Sequence, residues 1–560
     1  MNKLHIGFIL FTVLTFSNVV FAQPTQILGT PTPGRNTISH QAFNRTLSAD
    51  TVYRLINTYE IDSTYSLTIP AGTVILGDTG SAFIVRRGAQ VFATGTAIDP
   101  IVFTSVQNPG FRAPGDWGGV VLLGRAPLNK VEPAVEGNNI DASLSYGGSV
   151  ANDNSGILRY VRIEFGGFRY QLNNEINGLT CGGVGSGTEI DHVQVSYSFD
   201  DSFEFFGGTV SPTHLVAFGG TDDDFDTDFG FKGKLQFLFG LKDPNYWDPT
   251  GESNGFESDN DGSSTSTDIP WTEAIVSNVT LIGPERTNAN VPPPIGNSFQ
   301  YSAVMRRSTR QKLYNSVIMG YPWGLSLRDV NTIAAANSDT LQWRNVSIQA
   351  TTTPPGGTAG FAHDISRWSG VQTWFDNPAY SNIGSAIRLP NIIGLTDMSD
   401  LNNPNPVPAT GSELIGSASF ANSYLSGFTT VTYRGAFDPS LPMSQQWTAG
   451  WTNFDPQNTG YTTDVKEVGG ILPLMFVLEQ NYPNPFNPLT VINFSVPSSG
   501  NAVLKVYDIL GREITTLVEG DLTAGNYQAE FNASKLSSGT YFYSLSTNGS
   551  TQIKKMMLMK

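Results

Sequence analysis

The segment TDDDFDTDFG at residues 221–230 places Asp222, Asp223, Asp224, Asp226 and Asp228 around two phenylalanines. Acidic runs of this density usually belong to solvated, disordered tails, because repulsion and low hydrophobicity prevent a core from forming. The interleaved phenylalanines point instead to a strand with one apolar face. Carboxylates held in a row suit two kinds of chemistry. They can ligate a hard divalent cation through oxygens at about 2.3–2.6 Å, or serve as general acids and bases at a glycosidic bond.

A repeat supplies the register. The stretch HVQVSYSFDDSFE, His192 to Glu204, aligns without gaps with HLVAFGGTDDDFD, His214 to Asp226, at an offset of 22 residues. One coil of a repeating architecture therefore spans this length. With Phe225, Thr227 and Phe229 facing a core, strand alternation sends Asp224, Asp226 and Asp228 outward. Glu204, Asp226 and Glu257 then form one outward ladder, with Asp228 and Asp259 in the next column and neighbours about 4.8 Å apart. At an effective dielectric near 20, each such pair repels by roughly 3–4 kcal/mol before solvent screening. Protonation would relieve this, as would a basic side chain such as Lys232. A divalent cation is the most economical relief, and the expected calcium ligands are Glu204, Asp226, Asp228, Glu257 and Asp259.

Other chemistry is sparse. Phosphate-binding loops, zinc-ligand spacings and nucleophile elbows do not occur in the sequence. Beyond residue 22 the histidines are His40, His192, His214 and His363. His192 and His214 share a coil position that holds Gln236, Asn278 and Asn345 in other repeats, which reads as a polar ladder. No residue is assigned a catalytic role, and no cofactor besides calcium is expected. The enzymatic alternative rests on Asp200 and Asp201, which resemble the paired aspartates of the polygalacturonase family. That family's GHG and RIK motifs do not follow, and His214 lies in PTHL. A lyase would use calcium to acidify the proton beside a uronate carboxyl and a Lys or Arg to remove it. Lys232, Lys234 and Arg328 lie in the right region for that role, but the sequence aims none of them.

The elements that must hold these residues are strands. Abundant Gly and Phe, with only 14% charged residues, indicate an all-β protein. Apolar pairs two residues apart recur at Val161/Ile163, Val193/Val195, Leu215/Ala217, Phe237/Phe239, Val279/Leu281, Val317/Met319 and Val346/Ile348. A second set, NGLTC, DSFEF, DDFDT, NGFES and WGLSL, aligns Leu179, Phe203, Phe225, Phe256 and Leu325. Two strand columns and Gly-rich corners predict a right-handed parallel β-helix. A propeller would need blades of about 40–50 residues, roughly twice the repeat found.

The first 22 residues, MNKLHIGFILFTVLTFSNVVFA, have the basic start, apolar middle and small-residue end of a secretory signal peptide. No later stretch approaches the roughly 20 apolar residues of a membrane helix, so an exported protein without a transmembrane segment is expected. Cys181 is the sole cysteine, which excludes an internal disulfide framework. The formal charge of −16 argues against nucleic acid or an anionic membrane as partner. The expected organisation is a signal peptide at 1–22, an N-terminal extension at 23–49, a β-helix at 50–400 and a solenoid cap at 401–462. In that cap Trp447 and Trp451 would plug the open end of the core. A linker at 463–472 and a small immunoglobulin-like β-sandwich at 473–560 complete the chain.

GDWGGVVLLG, GLTCGGVGSGTEIDHVQVSYSFDDSFEFFGG, DDDFDTDFGFKGKLQF and YRGAFDP with WTAGWTNFDP make residues 50 to 460 similar to large secreted β-helix proteins of the Bacteroidetes and neighbouring lineages. At the C-terminus, NYPNPFNP, LKVYDILGREI, GTYFYSL and a terminal Lys-Met strand resemble the type A C-terminal sorting domain of the type IX secretion system. The resemblance implies passage across both membranes, with the secretion machinery as partner, to the cell surface or the medium. The expected function is non-catalytic binding or adhesion to a glycan or another envelope component. The alternative is a calcium-assisted polysaccharide lyase or glycoside hydrolase acting on an acidic polysaccharide.

Overall fold

A computed structural model describes residues 25–28, 38–135, 144–171, 174–249, 251–285, 299–354, 362–384, 395–397, 400–461, 465–467, 475–498, 500–522, 525–533, 536–547 and 549–560. The segment read as a signal peptide lies outside these residues. One compact unit ends at Thr459, and Gly460–Lys560 belong to a second.

The first unit is a parallel β-helix. One ten-stranded parallel sheet runs through Ile38–Gln41, Thr58–Ile61, Ala82–Val85, Val120–Leu123, Leu179–Gly182, Phe203–Phe206, Phe225–Asp228, Phe256–Ser258, Tyr301–Met305 and Trp323–Leu327. A sixteen-stranded parallel sheet makes the remaining faces. Its long strands, such as Glu189–Ser196 and Lys234–Leu241, carry one left-handed residue each near the middle: Tyr160, His192, His214, Phe237 and Asn278 have φ between 50° and 60°. The strand turns a corner at that residue, so one strand serves two faces. Later coils split at the same place, with Asn315 and Asn345 standing between the strand pieces. Register puts Phe237, not Gln236, in the column of His192 and His214, because Thr213 pairs with Gln236 and Leu215 with Leu238. Strands begin before the expected boundary at residue 50. Thr25–Leu28 pairs with Val52–Leu55 and Ile38–Gln41 with Thr58–Ile61, so the segment read as an extension lays down the first coil.

The core follows the aligned positions. Phe203 stacks on Phe225 at 5.3 Å between ring centroids, and Phe225 on Phe256 at 5.6 Å. Burying such aromatic stacks stabilises each coil against the next. Phe229 departs from the expectation that it faces this core. It follows the strand with φ of 48°, which breaks the alternation, and packs against Phe206 in an outer cluster. Phe231 takes the core place and stacks on Phe205 at 4.9 Å.

The segment expected to plug the end of the solenoid runs along its side as a strap. Ladder amides grip its backbone as surrogate peptide groups. Gln194 Nε2 donates to Asn453 O at 2.7 Å, and Asn453 N donates back to Gln194 Oε1 at 2.8 Å. Gln236 makes the same two-way contact with Thr429, at 2.7 and 2.8 Å, and Asn315 with Ser419, at 3.0 and 2.8 Å. Trp451 is buried between the strap and the outer side of the long sheet, in a cluster with Val216, Phe218 and Phe239. The last coils are instead filled by Trp343, Val371, Trp374 and Phe375, together with Ala335 and Ala336 of the helix Val330–Asn337.

The second unit has two four-stranded antiparallel sheets, one built around Leu489–Val496 and Gly525–Asn532, the other around Gly500–Tyr507 and Gly539–Thr547. Alternating residues, among them Phe494, Leu504, Tyr527, Tyr543 and Met556, form its own core. Val465–Glu467, within the expected linker, pairs with Gly525–Asn532.

Candidate cation-binding site

The acidic ladder stands on the outer side of the ten-stranded sheet. Register pairs Glu204 with Asp226 and Asp226 with Glu257, as the alignment expects. The column continues into Val304 and Ser326. These carboxylates point away from the core, yet Glu204 and Asp226 are only 8% exposed and Glu257 9%. The column ahead of them makes the corner. Asp201 Oδ1 accepts from Asp223 N at 2.9 Å, Asp223 Oδ1 from Asn254 N at 2.6 Å, and Asn254 Oδ1 from Tyr301 N at 3.0 Å. Each side chain thus satisfies a backbone donor on the next coil, which fixes the spacing of the acids.

The five expected ligands separate into groups. Glu204 and Asp226 come together, and Asp201 joins them: the three offer oxygens within 4.8 Å of one another, all buried. Asp201 also converges with Asp200 and Asp222. Glu257 and Asp259 belong to a basic end instead. Arg306 Nε lies 2.9 Å from Asp259 Oδ1, its Nη2 also pairs with Glu257, and Arg307 Nη1 lies 2.5 Å from Asp259 Oδ2. Asp228 Oδ1 accepts from Phe229 N at 2.6 Å at the strand end. Asp224, expected outward, is fully buried at the opposite side of the backbone, against Lys242 and Tyr321.

Arg306 and Arg307 were not among the residues singled out from the sequence. Strand register brings them here: Ser258 pairs with Met305, so the residue after Met305 falls beside Asp259. Lys232, the expected neutraliser, pairs with Glu273 at 3.1 Å instead. Lys234 donates to Ser426 O of the strap at 2.8 Å. Of the three basic residues considered for a lyase, Arg328 alone borders this face, where it bonds Glu252 at 2.7 Å and Ser326 Oγ at 3.2 Å.

The electrostatics follow from burial. Asp201 and Asp226 are held well above the usual carboxylate range, first by desolvation and then by neighbouring carboxylates. Asp222 and Glu257 shift the same way, burial again being the largest cause. Burial pushes Asp223 up to about 8, against the pull of Lys242. A cation would exchange these protons for coordination bonds. The fit extends to a neutral ligand. Asn177 Nδ2 donates to Glu204 Oε2, while its buried Oδ1 has no hydrogen-bond partner. Carboxylate and amide oxygens are the donors that calcium takes.

The second polar cluster is of another kind. Asp191 lies 2.8 Å from His192 Nδ1 and 2.8 Å from His214 Nδ1, and the two rings stack at 4.3 Å. These three residues also offer ligand atoms within 4.8 Å of one another, here with two ring nitrogens in place of carboxylates. Trp447 and Trp451 of the strap pack edge-on or tilted against the pair.

Comparison with known proteins agrees with this architecture. Residues 37–379 match the model of a pectate-lyase-like β-helix domain, and residues 480–559 match a secretion-system C-terminal sorting domain. No curated protein matches the chain. The sorting domain marks the protein for the type IX secretion machinery and so for the cell surface or the medium. Among the described residues no helix is long and apolar enough to cross a membrane. With the matched domain spanning more than half of its 560 residues, the chain belongs to the pectate-lyase-like β-helix family and bears a type IX sorting domain at its C-terminus.

Proposed function

We propose that this exported β-helix binds calcium at Asp201, Glu204 and Asp226, with Asp200, Asp222 and Asn177 completing the site, and uses it to hold an acidic glycan of the cell envelope or surroundings. The observation that carries this reading is the convergence of three buried carboxylates within 4.8 Å, one of them held by the amide of Asn177. Leaving like charges together in a desolvated site is costly, and an ion with oxygen preference removes the cost. Arg306, Arg307 and Arg328 at the other end of the same face supply planar forks suited to carboxylate groups. A cation at one end and guanidinium groups at the other match a chain of uronate residues.

The second reading is a calcium-assisted lyase. It is favoured by Arg328 standing on the same face as the acids, where an Arg or Lys would take the proton beside a uronate carboxyl. Its guanidinium is bound to Glu252, which favours positioning over proton abstraction. Retention of the purified protein on immobilised polygalacturonate, with calcium and with chelator, tests the binding reading. Calcium-dependent retention without release of unsaturated uronides supports binding. Their accumulation, read by ultraviolet absorbance, would establish the lyase instead, and equal elution in both buffers would reject a calcium-mediated glycan site.

A further inference from the structure

On the inner side of the strand that bears the acids, Lys242 and Asp224 face each other with both side chains at 0% exposure. Nζ is 3.1 Å from Asp224 Oδ1. The contact lacks hydrogen-bond geometry, since Oδ1 has no hydrogen-bond partner. The Nζ protons go elsewhere, to the carbonyl oxygens of Asp222 and, at 3.4 Å, Gly220. With two N–H groups committed to carbonyls, the nitrogen still lies 3.1 Å from the carboxyl. At the other oxygen, Tyr321 O–H donates to Asp224 Oδ2 at 2.8 Å. Gly240 leaves room for this carboxyl: a Cβ there would lie 2.6 Å from Oδ2. Tyr321 belongs to the main core, and Leu281 lines the same corner.

We infer that Lys242 and Asp224 are a cross-linking site, joined in the mature protein by an amide between Nζ and Cγ. The ion pair and the amine–acid pair have the same proton count and differ only in where one proton sits. The amine–acid form carries no charge into the apolar interior. In that form the Nζ lone pair attacks Cγ, and the tetrahedral oxyanion forms at Oδ2, where the Tyr321 hydroxyl donates to it. The Cγ–Oδ1 bond then breaks, and Oδ1 leaves with its own proton and one from Nζ as water. One C–N bond replaces one C–O bond, nothing is oxidised or reduced, and no co-reactant is required. The bond would close a loop between adjacent coils in a chain whose one cysteine cannot form an internal disulfide. It would also fix the backbone of Asp222, next to the acids.

The test is the mass of the purified full chain and of its proteolytic peptides. A loss of about 18 Da is expected, located in a branched peptide that contains both Asp224 and Lys242. Asp224→Asn should give the same branched peptide, with ammonia leaving in place of water. Lys242→Met should give linear peptides only. An intact mass equal to that of the unmodified sequence would overturn the proposal and leave an ordinary buried ion pair. A loss of about 18 Da confined to a linear peptide, as cyclisation at an aspartate produces, would overturn it as well.

Discussion

Arg306 grips Asp259 with its Nε 2.9 and 3.1 Å from the two carboxylate oxygens, and at this rung the acidic ladder changes from a cluster of carboxylates to an ion-pair network. The same guanidinium reaches Glu257, so two of the five expected ligands are neutralised by protein. Replacing Arg306 by Ala should lower stability in chelator by about 3–5 kcal/mol, because it leaves buried carboxylates uncompensated. Calcium should restore part of this loss. Urea denaturation of both variants, with and without calcium, measures it.

The raised carboxyls make stability depend on pH. Asp223 is pushed up to about 8, and Asp201, Asp222, Asp226 and Glu257 also lie above their ordinary range, each chiefly through burial. Between pH about 4 and about 8 the folded protein therefore holds more protons than the unfolded chain, and stability falls as pH rises through that window. In chelator the melting temperature of the solenoid should be higher at pH 5 than at pH 8. Since calcium competes with these protons, the increment it adds should be larger at pH 8. A melting temperature that rises with pH in chelator would contradict the burial of these acids.

Phe225 sits between Phe203 and Phe256 in the core stack, and it is fully buried. Phe225→Ala should cost about 3–5 kcal/mol in equilibrium unfolding. Phe229→Ala, at the partly buried outer position, should cost clearly less. A near-neutral Phe225→Ala beside a costly Phe229→Ala would mean that the two faces are exchanged.

The strap is held by side-chain amides that replace backbone partners. Gln236→Ala removes both contacts with Thr429 and should cost about 1–3 kcal/mol by leaving buried groups unpaired. Limited proteolysis should then cut within residues 412–459 before it cuts the coils. Unchanged protection of that segment would show that the Trp451 cluster alone secures it.

The coils were legible because aligned residues repeat the same local choice. Leu179, Phe203, Phe225 and Phe256 share a column, and Glu204, Asp226 and Glu257 share the next one, so register followed directly from the alignment. Errors occur where alternation stops. Phe229 and Asp224 lie just outside the strand Phe225–Asp228, at corners where backbone angles, and not period two, decide the direction of a side chain. The basic end of the site was hidden for another reason. Arg306 meets Glu257 across 49 residues, more than twice the 22-residue repeat, so no fixed offset connects them. The strap was misread because Trp447 and Trp451 signal burial but not where it takes place. Their partners, such as Tyr160 and His192, lie far away in the sequence, in coils of the first half of the chain.

Calcium titration of the metal-free full-length protein by calorimetry tests the central claim most directly. Saturable binding at millimolar calcium or below is expected, with loss of that binding in Glu204→Gln/Asp226→Asn and its retention in Asp228→Asn. Absence of saturable heat, together with a melting curve that about 1 mM calcium does not move, would contradict the account and leave the buried carboxylates protonated.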